Sequence, residues 1–355
     1  MGLNNIINIS YYYLKNIVAV ELYKSFNINF TFPVKINAQI NNQCNSRCNM
    51  CDVWRQKVSE LPSFIWINTF KKLKSEFRTF NIAFTGGEVL LKNDAYDIFE
   101  YCHKSNLPFT ITTNGKLLTS DNVNRLLELN PLNINISLDS LDPVVYKQIR
   151  GQSYLEQVKS NIDYLMKQIG EQSFKTKVFL KTVINSYNVD ELPLIAQYAH
   201  DKKISGITFD PVRRRRGIFI ESKIPQFERL IDIDFAKLTE SIDKLALLKK
   251  QGINILNSEE RMKYWFKTKS YKEAYSFCSA PLREIYINNE GFVRLCDFTE
   301  SNIGNISEQD ILHILKSRDA VKEKKRLSHC QNPCDYCIHR NLSDYLRIFI
   351  SYLKN

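Results

Sequence analysis

The stretch VKINAQINNQCNSRCNMC, residues 34–51, joins a strand-like run to a dense group of thiols. Apolar and polar side chains alternate along Val34–Ile40, which predicts a β-strand. Cys44, Cys48 and Cys51 follow within eight residues, and three thiolates this close can converge on one soft metal centre. A structural zinc site needs a fourth, borrowed ligand. A cubane 4Fe-4S cluster held by three cysteines instead keeps one iron open for a small molecule.

Downstream of this stretch, strand-like apolar runs alternate with segments of helical periodicity. We predict six strands, at Val34–Ile40, Asn81–Thr85, Phe109–Thr113, Asn133–Leu138, Lys177–Ile184 and Gly206–Asp210. The helical segments between them lie at about 66–79, 93–105, 120–129, 153–168 and 190–203. Strands joined by helical crossovers form a parallel sheet. Because the span is too short for eight βα units, we predict an α/β fold with a partial (β/α)6 parallel barrel, whose functional residues follow the strands.

The sequence predicts four segments along the chain. Residues 1–33 form an N-terminal helical extension, and residues 34–217 form the partial barrel. Residues 218–269 form a helical connector with strong periodicity at Phe235–Lys250. Residues 270–355 form a small α+β cysteine-rich domain, with a hairpin of Glu284–Asn288 and Phe292–Cys296 and a closing amphipathic helix at Leu342–Leu353.

The composition is that of an ordinary globular protein, since 44% of the 355 residues are hydrophobic and 25% are charged. The net charge of +11 makes the surface basic, and the nine cysteines fall mostly in two groups, which favours metal binding over disulfides. Charged and polar residues interrupt the apolar stretch Tyr11–Tyr23, so it cannot span a bilayer, and no signal peptide is recognisable. We therefore expect a cytoplasmic protein with reduced thiols and no transmembrane span.

Short motifs follow the next predicted strands in order. Thr85-Gly86-Gly87-Glu88 ends the second strand; its glycines let the backbone approach a ligand, and its carboxylate can accept from an ammonium group. Thr112-Thr113-Asn114-Gly115 ends the third strand, Ser137-Leu138-Asp139-Ser140 ends the fourth, and Ile149-Arg150-Gly151 follows. Together with the cysteine spacing, this order of motifs resembles the radical S-adenosylmethionine (SAM) enzymes.

The resemblance implies a 4Fe-4S cluster on Cys44, Cys48 and Cys51, with SAM bound to its open iron. It also implies a set of SAM-binding residues: Met50 near the adenine, Gly86, Gly87 and Glu88 at the amino group, Asn114, Ser137 and Asp139 at strand ends, and Arg150 at the carboxylate. The chain departs from the family pattern at Val89, where proline is common, and at Ser140, where glycine is common. Neither departure removes a ligand.

The second cysteine group lies beyond residue 277. Cys278 precedes the predicted hairpin and Cys296 ends it, in the pattern C-x12-G-x4-C. The segment Cys330-Gln-Asn-Pro-Cys334-Asp-Tyr-Cys337 adds three thiols from a turn-rich loop. This region resembles the SPASM/Twitch extension, an auxiliary iron–sulfur domain of some radical SAM enzymes. Its five cysteines fit the single-cluster Twitch form better than the seven-cysteine SPASM form.

The resemblance implies one auxiliary 4Fe-4S cluster, ligated by Cys278, Cys296, Cys334 and Cys337. Cys330 is then left over, as a structural residue or as a catalytic hydrogen donor. Exchange of Cys330 for Cys334 in the ligand set is one alternative, and a zinc ribbon-like site at the same place is another.

An arginine run, Arg213–Arg216, directly follows the sixth predicted strand, at the rim where ligands bind. Four guanidiniums suit recognition of a phosphate, a carboxylate or a nucleotide. Ion pairing with surface carboxylates is the alternative role. We expect no nucleic-acid binding, because the sequence has no recognition module and mixes Lys and Glu along its helices.

The resemblance implies that one electron, from a reductase such as flavodoxin or ferredoxin, cleaves SAM to a 5′-deoxyadenosyl radical that abstracts hydrogen from the substrate. Our first hypothesis is an oxidoreductase or epimerase acting on a small polar metabolite, such as a sugar, an aminocyclitol or a nucleotide-linked compound. A maturase of a ribosomally made peptide is the second, although only 43 residues precede Cys44, where such enzymes often carry a leader-binding domain. A non-catalytic iron–sulfur electron carrier is the third, and the intact Gly86-Gly87-Glu88 motif argues against it.

Overall fold

The computed structural model describes residues 3–212, 227–259, 262 and 277–330. The strands of this part of the chain are β1 Lys35–Asn41, β2 Asn81–Gly86, β3 Phe109–Thr113, β4 Asn133–Ser137, β5 Lys177–Ile184, β6 Gly206–Pro211, β7 Glu284–Ile287, β8 Phe292–Arg294 and β9 Gly304–Asn305. Its helices are α1 Leu3–Phe26, α2 Ser63–Phe77, α3 Ala95–Lys104, α4 Ser120–Glu128, α5 Pro143–Arg150, α6 Leu155–Gln172, α7 Leu192–Asp201, α8 Phe227–Ile231, α9 Phe235–Lys250, α10 Ala280–Arg283, α11 Ile311–Lys316 and α12 Arg318–Ser328.

All the described strands form one sheet, in the order β6-β5-β4-β3-β2-β1-β7-β8-β9. Each neighbouring pair from β1 to β6 is parallel, so the loops after these strands meet at one edge of the sheet. Alternate side chains of β1, including Ile36, Ala38 and Ile40, are fully buried in the core. The α/β fold with a partial barrel is confirmed, and the described strands leave that barrel open.

The six predicted strands coincide with β1–β6 to within one residue at each end. The crossover helices are also present, with ends that differ by up to four residues, and Phe235–Lys250 is helical as predicted. The sequence analysis missed α5, although its start carries a clear capping signal. Asp142 Oδ1 accepts from the backbone N–H groups of Val144 and Val145, at 2.7 and 2.9 Å, and Pro143 occupies the first turn.

The predicted hairpin is present, but it is not separate from the barrel. β7 and β8 pair antiparallel, as expected, with Tyr286 opposite Arg294. The other side of β7 pairs in parallel with β1, where Lys35 lies opposite Glu284. The first strand of the C-terminal region therefore covers the β1 edge of the parallel sheet, and one sheet joins the barrel strands to that region.

The N-terminal helix packs against this C-terminal region. Val20 and Tyr23 of α1 form a small buried cluster with Phe277 and Leu282, and Arg283 Nε donates to Asn16 Oδ1 over 3.0 Å. None of the described helices is long and apolar enough to cross a membrane. The predicted closing helix, Leu342–Leu353, lies outside the described residues.

Candidate active site

The loop that carries Cys44, Cys48 and Cys51 is held on one side by the end of β2. The backbone N–H groups of Gly87 and Glu88 donate to the carbonyls of Asn41 and Gln43, at 3.1 and 2.8 Å. A Cβ at Gly87 would lie 2.1 Å from the Gln43 carbonyl oxygen, and one at Gly86 would lie 2.2 Å from that of Asn41. Both glycines are thus needed for the close approach of two protein segments, in addition to any role toward a ligand.

The end of α5 holds the other side of the same loop. The N–H groups of Arg47 and Asn49 donate to the carbonyls of Arg150 and Ile149, over 3.1 and 2.9 Å. Gly151 has a φ of +68°, and a Cβ there would lie 2.3 Å from the Arg47 carbonyl oxygen. The cysteine loop is therefore clamped between β2 and α5, which gives its thiols a defined backbone frame.

The three thiols of the loop differ in their surroundings. Cys48 is buried and lies 3.7 Å from Nη1 of Arg150, while Cys44 Sγ accepts from the Ser46 N–H over 3.4 Å. Burial raises the pKa of the Cys44 and Cys48 thiols and raises that of Cys51 to about 12. The positive charge of bound iron would counter this effect and stabilise the thiolates.

The donor chemistry of this loop suits an iron–sulfur cluster. Within the described ranges, no group of three or more Cys, His, Asp or Glu side chains is placed to hold a single metal ion. The loop supplies three soft thiols, two of which already accept hydrogen bonds as cluster ligands do. Cys44, Cys48 and Cys51 would hold such a cluster.

Glu88 lies beside this loop and is fully buried. Its carboxylate accepts from Thr113 Oγ1 over 2.8 Å and from the Asn114 N–H over 2.7 Å. Burial raises the pKa of Glu88, while these hydrogen bonds oppose the rise. The Asn114 side chain in turn donates to Asn45 Oδ1, at 2.7 Å. The structure therefore joins Glu88 and Asn114, two of the predicted SAM-binding residues, to the cysteine loop.

Asp139 and Arg150 contact each other. Asp139 Oδ2 lies 2.6 Å from Arg150 Nε, and Asp139 Oδ1 accepts from the Val183 N–H over 2.7 Å. Burial opposes the charge on Arg150, but the Asp139 carboxylate and the Cys48 thiol raise its pKa above the ordinary value. The pair places a fixed positive charge next to Cys48. Direct contact of either residue with SAM stays a prediction.

Met50 and Ser137 are partly exposed residues of the same edge. Met50 lies in the turn between Cys48 and Cys51, and Ser137 is the last residue of β4, opposite Lys181 on β5. Their predicted contacts with SAM stay predictions.

Ser46, Tyr154 and Glu191 lie near the site but were not singled out in the sequence analysis. The hydroxyl of Tyr154 makes a short hydrogen bond to the Ser46 side chain within the cysteine loop. Glu191 accepts from Ser140 Oγ over 2.7 Å and from the Leu141 N–H over 2.8 Å, and so fixes the turn after β4. Ser140 stands where the family pattern often has glycine. This hydroxyl was the feature of the sequence that could have pointed to a partner such as Glu191.

The C-terminal cysteines are only partly within the described residues. The Cys278 N–H donates to the Ser328 carbonyl over 2.8 Å, which places Cys278 beside the end of α12, two residues before Cys330. The Glu323 carboxylate raises the pKa of Arg326, and the nearby Cys330 and Cys296 thiols add to the effect. Arg326 Nη2 also donates to Thr299 Oγ1 over 3.2 Å, so the helix that precedes Cys330 contacts the segment just after Cys296 as well as Cys278.

Cys334, Cys337 and the arginine run Arg213–Arg216 lie outside the described residues. The choice between Cys330 and Cys334 as a ligand stays open.

Family models match two parts of the chain. The radical SAM superfamily matches residues 39–199, and SPASM, an iron–sulfur cluster-binding domain, matches residues 278–338. Both matches agree with the positions of the two cysteine groups.

Curated relatives are similar over unequal lengths. A probable GTP 3′,8-cyclase of Sulfolobus acidocaldarius is 25% identical over 268 residues, which are 74% of this chain and 78% of the relative. An AdoMet-dependent heme synthase of Methanosarcina barkeri is 21% identical over 267 residues, 73% of this chain and 74% of the relative. A probable GTP 3′,8-cyclase of Methanococcus maripaludis is 32% identical over 133 residues, 37% of this chain, and the match spans only 42% of that relative.

Solved structures share the fold. Streptococcus suis SuiB bound to S-adenosylmethionine has a TM-score of 0.67 at 16% identity, over 89% of this chain and 76% of SuiB. Native anSMEcpe with bound AdoMet has a TM-score of 0.60 at 16% identity, over 91% of this chain and 96% of that chain. At these identities the likeness concerns the fold alone.

Proposed function

Because this chain belongs to the radical SAM superfamily and carries a C-terminal SPASM domain, we propose that it cleaves SAM reductively and abstracts hydrogen from a small polar metabolite, with oxidation or epimerisation as the outcome. The two domains imply a SAM-binding 4Fe-4S cluster, SAM itself and an auxiliary iron–sulfur cluster. When bound and reduced, the first cluster supplies the electron that breaks the sulfonium bond of SAM.

The observation that carries this proposal is the clamped cysteine loop with Glu88 on one side and Arg150 on the other. The loop is hydrogen-bonded to β2 through Gly87 and to α5 through Arg150, so its thiols are held before a cofactor arrives. Glu88 offers a buried carboxylate for an ammonium group, and Arg150 offers a buried guanidinium for a carboxylate. Together they are complementary to the amino-acid end of SAM.

Burial is the second contribution of these residues. Glu88, Asp139 and Cys48 are all buried, and they lie in the loops that follow β2, β4 and β1. A site that excludes water strengthens each electrostatic contact and protects a reactive species from side reactions. In this proposal the barrel orients the substrate and excludes competing hydrogen donors.

The names of the curated relatives support a metabolite as substrate. The relatives that match about three quarters of this chain are named GTP 3′,8-cyclase and AdoMet-dependent heme synthase, and both names refer to small molecules. We infer from this that the substrate is a small molecule, and the nucleotide in the cyclase name favours a polar one, such as a sugar, an aminocyclitol or a nucleotide-linked compound. A single auxiliary cluster of the Twitch type belongs to the same proposal.

A peptide substrate is the second candidate, because of the structural neighbours. SuiB bound to precursor peptide SuiA has a TM-score of 0.67, and native anSMEcpe with bound AdoMet and the Cp18Cys peptide has a TM-score of 0.60. A maturase that acts on a ribosomally made peptide would account for this shared architecture. In either case we propose a flavodoxin or ferredoxin as the electron donor and the cytoplasm as the location.

The release of 5′-deoxyadenosine tests the proposal and separates the candidates. The reduced, reconstituted protein is incubated with SAM and with fractionated extract of the source cells. We expect stimulation by the low-molecular-weight fraction, followed by transfer of deuterium from a labelled substrate into 5′-deoxyadenosine. Stimulation by the peptide fraction alone would favour the maturase. No release with any fraction, from protein with full iron content, would contradict catalysis.

A further inference from the structure

Next to the cysteine loop, the ring of Trp54 contacts two guanidiniums, and these three side chains are called the stack below. The Arg47 and Arg55 guanidinium carbons lie 5.0 and 4.3 Å from the ring centroid of Trp54. Both distances are within the range of a cation–π contact. The Trp54 indole N–H donates to the Cys48 carbonyl over 3.2 Å, so the stack is attached directly to a cysteine of the candidate site.

This stack is exposed and positively charged. Arg47, Arg55 and the neighbouring Lys57 are exposed, and the next residue, Val58, has 56% of its surface accessible. Of the two acidic residues in this part of the sequence, Asp52 is buried and Glu60 faces the ammonium of Lys92 at 3.6 Å. The charges that this segment presents to solvent are therefore positive.

The position of Arg47 is fixed by the loop itself. Its Nη1 donates to the Cys44 carbonyl over 2.7 Å and to the Ser46 carbonyl over 3.0 Å. A guanidinium that is held in this way loses little side-chain entropy when a partner binds. Arginine and tryptophan are also the residue types that dominate binding energy at protein interfaces.

We propose that the surface formed by Arg47, Trp54, Arg55 and Lys57 is the docking site of an acidic one-electron carrier protein of the flavodoxin or ferredoxin type. This inference rests on the proposed function, which requires an electron at the cysteine loop. The carrier gives up one electron and the cluster on Cys44, Cys48 and Cys51 gains it, with no bond made or broken. Complementary charge would steer the carrier to the surface, and the hydrogen bond from Trp54 to the Cys48 carbonyl links that surface to a residue that would hold the cluster.

Charge reversal at Arg55 tests the docking site. Reduced flavodoxin is mixed with the oxidised, reconstituted protein in a stopped-flow instrument, and the loss of cluster absorbance gives the second-order rate constant. We expect Arg55→Glu to lower this rate constant about tenfold at low ionic strength, and the difference to shrink as salt is added. Arg55→Gln, which removes the charge without reversing it, gives a smaller decrease in the same direction.

Two controls separate docking from other effects. Lys250→Glu changes the net charge by the same amount as Arg55→Glu. Lys250 is exposed at the end of α9, which packs on α7 near the β6 edge of the sheet. We expect this variant to have a rate constant within twofold of wild type. Reduction by dithionite, a small reductant that needs no docking surface, should be unchanged in every variant. Equal effects of Arg55→Glu and Lys250→Glu would overturn the proposal, as would an unchanged rate in Arg55→Glu.

The readout also keeps this proposal separate from the proposed function. Cluster absorbance reports electron entry without any SAM cleavage. Absence of 5′-deoxyadenosine with normal flavodoxin-driven reduction would remove the catalytic proposal and leave the docking site. Binding of a single-stranded oligonucleotide that competes with flavodoxin and is lost in Arg55→Glu would instead assign the surface to nucleic acid, and would contradict the carrier as its partner.

Discussion

The carboxylate of Asp139 lies 2.6 Å from Nε of Arg150, and both residues are buried. The same guanidinium reaches Cys48 Sγ at 3.7 Å, so one ion pair connects the end of β4, the end of α5 and the cysteine loop. The sequence analysis assigned Asp139 and Arg150 separate contacts with SAM. The structure makes them mutual partners, and loss of either one leaves a buried charge without compensation.

Asp139→Asn should therefore lower the free energy of unfolding by about 3–5 kcal/mol, since it leaves the Arg150 charge buried and unpaired. Urea denaturation under anaerobic conditions measures the change. Glu240→Gln is the matched control, because it breaks an exposed ion pair with Lys244 of 2.7 Å on α9. That change should cost less than about 0.5 kcal/mol. Similar losses in the two variants would show that the buried pair has no special role.

Glu88→Gln should weaken SAM binding about tenfold, because a neutral amide replaces a buried carboxylate that faces the expected ammonium group. Equilibrium titration of the reconstituted protein with SAM measures the affinity, and paramagnetic resonance should still detect both clusters. Thr113→Val is the control. It removes one hydrogen bond to Glu88, of 2.8 Å, but keeps the charge, so a change of less than about threefold is expected. An unchanged affinity in Glu88→Gln would remove the residue from SAM binding.

Gly87→Ala should displace the cysteine loop, since its Cβ would lie 2.1 Å from the Gln43 carbonyl oxygen. We expect the iron content of reconstituted protein to fall toward that of the auxiliary cluster alone. Gly170→Ala is the matched control: this helical glycine in α6 has no atom within 4 Å of an added Cβ. It should retain its iron and gain about 0.5–1 kcal/mol of stability. Normal iron content in Gly87→Ala would show that the loop adapts.

Cys330→Ala addresses the ligand choice in the C-terminal domain. If Cys334 is the ligand, the variant should keep about eight irons, the content of two 4Fe-4S clusters. Iron and sulfide analysis measures this, and the triple Ala variant of Cys44, Cys48 and Cys51 should contain half of the wild-type amount. Loss of about four irons in Cys330→Ala would make Cys330 a ligand. A wild-type content near four would contradict the auxiliary cluster.

Local sequence patterns were sufficient to predict the strands and the cysteine loop. Apolar alternation along Val34–Ile40 reports burial on one face, which is a property of the segment itself, and β1 begins and ends within one residue of it. The spacing of Cys44, Cys48 and Cys51 likewise carries its chemistry within eight residues. Predictions of this kind need no knowledge of the rest of the chain.

Contacts between distant segments were not predictable in this way. The pairing of Asp139 with Arg150 depends on α5, whose short amphipathic pattern was missed even though Asp142 and Pro143 mark its start. The parallel pairing of β7 with β1 joins residues about 250 positions apart. The sequence of neither strand indicates which other strand it pairs with. The glycines at 86 and 87 were assigned to ligand approach, while the structure shows that the neighbouring loop also requires them.

The pairing of β7 with β1 has a consequence for attempts to divide this protein. A barrel fragment that ends before residue 277 would leave β1, the strand that leads into Cys44, with an unsatisfied row of backbone donors and acceptors. Such an edge recruits other chains, so the fragment should self-associate. The C-terminal region thus protects the edge of the barrel sheet from pairing with other chains. A related protein that lacks this region would need another segment to cover β1.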